Sequence, residues 1–132
     1  EPLTMQENPV YTDVVTEVRD FLQSRVNLAR TAGIASDRLV LDPGFGFGKA
    51  LHHNLEMLRR FAEFTVIGLP VLAGISRKSM LGAITSRTVE DRLAASVAAA
   101  LLAAQRGARL LRVHDVAQTR DALAIWLALE NQ

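Results

Sequence analysis

The chain has 132 residues, with 15 Lys and Arg against 14 Asp and Glu, three His, no Cys and 49% hydrophobic residues. That is enough chain and enough apolar content for one compact domain, far from the sparse, highly charged regime of disordered segments. The missing cysteines exclude a disulfide scaffold, a thiol nucleophile and a Cys-based metal or redox site. A net charge of +1 with 5% aromatic residues gives no footprint for nucleic acid. The longest apolar stretch, Ala94 to Ala104, is broken by Ser96 and is shorter than the ~20 residues of a membrane span. With an acidic, polar start and no signal-peptide pattern, a soluble cytoplasmic protein is expected. The first residue is Glu1 rather than Met, as in a processed product or a piece of something longer.

Apolar residues at Val14, Val15, Val18, Phe21, Leu22, Val26 and Ala29 predict a helix over Thr12 to Ala32, and Gly33 follows as its stop. Arg38 to Asp42 reads as a buried strand that empties into Pro43 and a glycine-rich turn. A helix from His53 to Phe64 comes next, then a strand over Pro70 to Ile75. Ser79 is placed as the N-cap of a short helix, and an alanine-rich helix from Thr88 to Arg106 starts on a Thr88–Asp91 capping pattern. Leu110 to His114 is a third strand. The last helix, Thr119 to Leu129, is expected to bury Ala122, Leu123 and Trp126.

Strand starts 30 to 40 residues apart, alternating with helices, predict an α/β architecture of three parallel strands. Polar residues gather at the strand C-termini, where parallel α/β folds bind ligands. Three strands would leave both sheet edges unpaired. A (β/α)8 barrel takes about 250 residues, so the pattern matches roughly its C-terminal half.

Three stretches could carry chemistry. Asp42-Pro-Gly-Phe-Gly-Phe-Gly-Lys49 fails both as a P-loop, with Pro43 and Ala50 at key places, and as a dinucleotide fingerprint, whose glycine spacing differs. It leaves a carboxylate at a strand end able to pair with a guanidine-like edge, and Phe45 and Phe47 able to cover a flat ring. Equally, Asp42 can merely cap the turn while the phenylalanines plug the core. Ser76-Arg-Lys-Ser79 offers two cations and two hydroxyls to an anion, against the simpler reading of a solvated basic loop. Arg112 and His114 share one face of the last strand and suit pyrophosphate, against an Arg112–Asp115 ion pair with a satisfied histidine. His52 and His53 read as surface or capping residues. No residues show metal-ligand spacing.

Together, in this order and at these intervals, Asp42 to Lys49, Gly74-Ile-Ser-Arg-Lys-Ser-Met80 and Arg112-Val-His-Asp115 resemble the C-terminal half of the bacterial dihydropteroate synthase family. Met5 to Tyr11 is similar to that family's loop leaving strand five. The resemblance implies a (β/α)8 TIM barrel that condenses 6-hydroxymethyl-7,8-dihydropterin pyrophosphate with p-aminobenzoate, giving dihydropteroate and pyrophosphate for folate biosynthesis. It implies that Asp42, Gly74, Lys78 and Arg112 bind the pterin, and that Phe47, Lys78 and Ser79 bind p-aminobenzoate or a sulfonamide. Arg112 and His114 would hold pyrophosphate, and Lys78, Arg112 and His114 form the implied catalytic set.

The resemblance further implies Mg2+, anchored by a residue outside this chain, and a homodimer through C-terminal helices. Residues 1–132 are then the C-terminal part of one pterin-binding domain whose N-terminal half is absent, and the chain alone is expected to be inactive. Two rivals stand beside this reading. One is a pterin-binding methyltransferase domain, against which the Ser76 to Ser79 motif argues. The other is a non-catalytic assembly fragment that dimerises through its alanine-rich helix.

Overall fold

The structure, a computed structural model, describes residues 10–46 and 48–131. Most of the Met5 to Tyr11 loop and Phe47 therefore lie outside the described residues. The described chain is mixed α/β, with six α-helices and a two-stranded parallel sheet.

Helix α1 spans Val14–Thr31. The Asp13 carboxylate accepts from the Thr16 amide (3.2 Å) and hydroxyl (2.9 Å), and Glu17 reaches back to the Asp13 amide (2.9 Å), so the orphan donors of the first turn are satisfied locally. Val14, Val15, Leu22 and Val26 are buried as the spacing predicts. Phe21, assigned to the same stripe, is instead 62% exposed. It lines an open groove with Leu22, Pro43 and Lys49.

Helix α2, Leu51–Arg59, and the short α3, Ala62–Thr65, replace the single predicted helix from His53 to Phe64. The chain leaves helical geometry at Arg60, whose guanidinium is held by Asp13 (3.0 Å), Glu56 (3.3 Å) and Glu63 (2.6 Å). Met57, Phe61 and Phe64 are fully enclosed, the two phenylalanine rings meeting edge to face, and with Val15 and Val71 they form the centre of the core.

Strand β1, Leu72–Ala73, pairs in parallel with β2, Leu110–Leu111. The first predicted strand, Arg38 to Asp42, does not form. Leu41 joins Val71 only through an isolated parallel bridge, its amide bonded to the Pro70 carbonyl (2.8 Å) and its carbonyl to the Leu72 amide (2.7 Å). The segment cannot extend its ladder because Pro43, two residues on, has no amide to donate.

Between the strands lie α4, Ser79–Thr85, and α5, Leu93–Gln105. The N-cap of α4 is Lys78, and Ser79, predicted as the N-cap, is instead the first helical residue, so the helix starts one position earlier than predicted. Thr88 does not start α5. A 3-10 turn over Val89–Asp91 intervenes, and the Thr88 hydroxyl meets the Asp91 carboxylate (3.4 Å) instead of a backbone amide. Ser96, Ala99, Ala100 and Ala103 are the buried face of α5, small enough for close helix contact. Helix α6, Val116–Glu130, starts three residues early and buries only Thr119. Ala122, Leu123 and Trp126 are half-buried rather than buried, since among the described residues nothing covers that side fully.

The Arg60 network ties α1 to α2 and α3 and sets a pH dependence. Bonding to Arg60 first, and to the Thr16 amide and hydroxyl, brings the Asp13 pKa from the usual 3.8 to about 2. A carboxyl whose folded pKa is depressed stabilises the fold fully above its unfolded value and loses that contribution as pH falls through the folded value. The Asp13 tie is therefore intact above about pH 4 and released toward pH 2. Arg60→Ala should move the Asp13 pKa upward in a carboxyl-carbon NMR titration; an unmoved Asp13 would show that Thr16 alone holds it.

Candidate active site

Asp42, β1 and β2 put their C-terminal ends on one side of the molecule. The Asp42 carboxylate accepts from the Gly44 amide (3.0 Å) through one oxygen and from Arg112 Nη1 (3.2 Å) through the other. It thus both caps the turn and pairs with a cation at the end of β2, reached across the end of β1. The loop that follows places Gly44, Gly46 and Gly48 at positive φ (75°, 95° and 73°), conformations that disfavour a side chain. Phe45 turns inward, 3% exposed and stacked against Phe61, so it is a core residue rather than a ring cover.

Lys78 reaches from the start of α4 to the glycine loop, its ammonium donating to the Phe45 carbonyl (2.8 Å). The basic segment is therefore no solvated loop at this residue. Burial first, and repulsion by Arg112 second, hold the Lys78 ammonium below the usual lysine range, with Asp42 acting in the opposite direction. Lys49 is lowered in the same way, by burial and then by Lys78, again opposed by Asp42. Three cations face one carboxylate.

Arg112 lies across Gly74, where an added Cβ would come within 2.7 Å of the guanidinium carbon. Gly74 thereby gives the arginine its path to Asp42. The Arg112–Asp115 pair of the bland reading is absent. Arg77 takes Asp115 (3.2 Å) while Arg112 takes Asp42. His114 Nδ1 lies in hydrogen-bond contact with the Ser76 hydroxyl (2.9 Å), on the same rim as Arg112. Ser79 is exposed at the start of α4.

The structure thus brings Asp42, Gly74, Lys78 and Arg112 together and sets His114 and Ser79 on adjoining segments. Sequence reading missed Asn54, which is buried on α2 and whose carbonyl oxygen accepts from the Gly46 amide (2.8 Å), fixing the glycine loop. The signal was a polar residue three positions before Met57 on the apolar side of the helix. His53 is buried and its Nδ1 accepts from the Ala50 amide (3.0 Å), so it caps α2; burial holds its pKa below the usual value.

Residues 1–114 match the family model described as pterin binding enzyme. The chain belongs to the pterin binding enzyme family. It is 52% identical over 131 residues to the dihydropteroate synthase of Haemophilus influenzae, covering 99% of this chain and 48% of that protein. Its fold is similar to the dihydropteroate synthase of Stenotrophomonas maltophilia, with a TM-score of 0.94 and 55% identity over 98% of this chain and 49% of the other. It is also similar to the Xanthomonas albilineans enzyme in complex with 7,8-dihydropteroate, with a TM-score of 0.91 and 54% identity over 92% and 47% of the two chains. The chain spans about half the length of the curated relatives it matches.

The charge cluster makes a testable statement about the chain's only two lysines, Lys49 and Lys78. Arg112→Gln removes a repelling cation and should raise the Lys78 pKa, whereas Asp42→Asn removes the counter-charge and should lower it. NMR titration of the 13C-methylated amines reads both. A Lys78 indifferent to either change would separate the three side chains.

Proposed function

We propose that this chain is the C-terminal part of a (β/α)8 barrel, residues 1–132 of one pterin-binding domain, and that the whole protein is a dihydropteroate synthase. The observation that carries the reading is the convergence of Asp42, Lys78 and Arg112 from three neighbouring strand ends onto one rim, in a chain whose relatives are named dihydropteroate synthase. The substrates are 6-hydroxymethyl-7,8-dihydropterin pyrophosphate and p-aminobenzoate, with sulfonamides competing for the second.

In this reading Asp42 takes the donor edge of the pterin, and Gly74 leaves room for Arg112 to lie flat beside the ring. Arg112 and His114 hold the departing pyrophosphate, and Lys78 faces both substrates. Ser79, with Phe47, receives p-aminobenzoate. Loss of pyrophosphate leaves a delocalised cation on the pterin methylene and an anion on the leaving group, and the aromatic amine then attacks the carbon. The fixed charges of the rim stabilise the separating anion, so the residues act by positioning and electrostatics without a protein nucleophile.

Mg2+ belongs to the same reading, anchored outside this chain. Among the described residues no group of three or more His, Cys, Asp or Glu could hold a metal ion, and no step is routed through one. No described helix is long and apolar enough to cross a membrane, and a cytoplasmic location belongs to the same proposal. Exposed Val116, Ile125 and Leu129 on α6 support a homodimer through the C-terminal helices.

Lys78→Ala and Arg112→Ala in the full synthase should each remove a charge-assisted contact of about 1.5 to 3 kcal/mol, about 10- to 150-fold in kcat/KM. Steady-state assays with both substrates and Mg2+ test this, and near-parental turnover in both variants would overturn the roles. The 132-residue chain assayed alone should show no turnover.

A further inference from the structure

The Lys78 ammonium follows a residue whose left-handed conformation is braced from another segment. Arg77, immediately before it, has φ 61°, in the left-handed region that non-glycine residues seldom occupy. Both backbone groups of Arg77 are gripped by the segment that opens α5. Its amide donates to the Ser96 hydroxyl (2.9 Å), and its carbonyl accepts from Arg92 Nη1 (2.8 Å). Ser96 is buried, and Arg92 is itself pinned by a second bond from Nε to the Arg87 carbonyl (3.1 Å). Gly82 on α4 completes the arrangement, because an added Cβ would come within 2.7 Å of the Arg92 guanidinium carbon.

We propose that Arg92 and Ser96 are positioning residues that clamp the two peptide groups flanking Arg77, thereby directing Lys78 across to the Phe45 carbonyl, with Gly82 present to let the Arg92 guanidinium pass. The peptide between Arg77 and Lys78 sets the direction in which the Lys78 side chain leaves the backbone, and its carbonyl is the one Arg92 holds. The clamp explains how a five-bond side chain ends on a single acceptor in the glycine loop 33 residues away. Lysine in place of Arg92 could satisfy one of the two carbonyls but not both, since an ammonium lacks the guanidinium fork.

The test uses the full synthase, with Lys49 and Lys78 methylated by a limiting reagent and followed residue by residue by NMR. In Arg92→Ala, Ser96→Ala and Gly82→Ala, Lys78 should react about fivefold faster, as one lost hydrogen bond predicts, while Lys49 changes less than twofold. Arg92→Lys should fall between parent and Arg92→Ala. Gly82→Ala favours the helix that contains it, so exposure of Lys78 there is not loss of fold. Equal acceleration of both lysines would mark Arg92 and Ser96 as merely structural and overturn the clamp, as would a Lys78 rate within twofold of the parent in all three variants. The link to catalysis rests on the synthase reading and has its own readout. In the full synthase the same variants should raise KM for p-aminobenzoate more than they lower kcat. Lys78 released with both constants unchanged would uphold the clamp and overturn the synthase role of Lys78.

Discussion

The crowding of like charge around Asp42 is the constraint on which the rest of the rim depends. Lys49, Lys78 and Arg112 share one carboxylate, and the two lysines are pushed toward their neutral forms by burial first, and then Lys49 by Lys78 and Lys78 by Arg112. The Arg60 cluster shows the opposite arrangement in the same molecule. There one guanidinium meets Asp13, Glu56 and Glu63, its own pKa rises, and those of Asp13 and Glu63 fall. Arg60, Asp13 and Glu63 are all favoured in their charged forms by the bonds between them, which is what a tie between helices requires. At the rim the two lysine cations are disfavoured, and an anionic ligand would offset the repulsion they feel. Such opposed shifts separate a site from a structural ion-pair network more clearly than charge counts do.

Backbone geometry supplies what side chains alone could not. The glycine loop turns three times through positive φ, so its carbonyls and amides face partners that a regular turn would leave out of reach: Asn54 takes the Gly46 amide, and Lys78 takes the Phe45 carbonyl. Phe45, stacked on Phe61, anchors this loop to the core from beneath. The site is therefore built on the same phenylalanine cluster that closes the hydrophobic interior. Arg77 repeats the device without a glycine, and there the left-handed turn is kept by hydrogen bonds from α5.

Much of this was legible in the sequence, and the exceptions have one cause. Helix periodicity located α1, and the polar residues at the ends of apolar runs located Asp42, Lys78 and Arg112, because burial and chain direction are encoded locally. The break at Arg60, the delayed start of α5 and the N-cap at Lys78 depend on side chains bonding backbone or carboxylates in other elements. Asn54, Arg92 and Ser96 each look like ordinary helical residues until their partners, 8 to 19 positions away, are known. The strand at Arg38 to Asp42 was overread for a related reason: an apolar run announces burial, but the length of a ladder is set by which amides its neighbours can meet. Phe45 shows the converse, a residue whose two open readings only packing could separate.

The Arg112–Asp42 pair itself is a poor source of stability, with side chains 57% and 42% exposed. Such pairs contribute about 0 to 1 kcal/mol, so the bond's value is geometric. It holds the guanidinium flat over Gly74 and the carboxylate turned toward the rim before anything binds. A ligand that presents donors to Asp42 and an anion to Arg112 breaks this weak bond and replaces it with two charge-assisted ones, each stronger than the pair it displaces. The same exchange gives Lys78 an anion beside it, which offsets the repulsion by Arg112 that adds to burial in lowering its pKa. The rim is thus oriented in advance but not locked, because the bond that orients it is the one that binding can most easily give up.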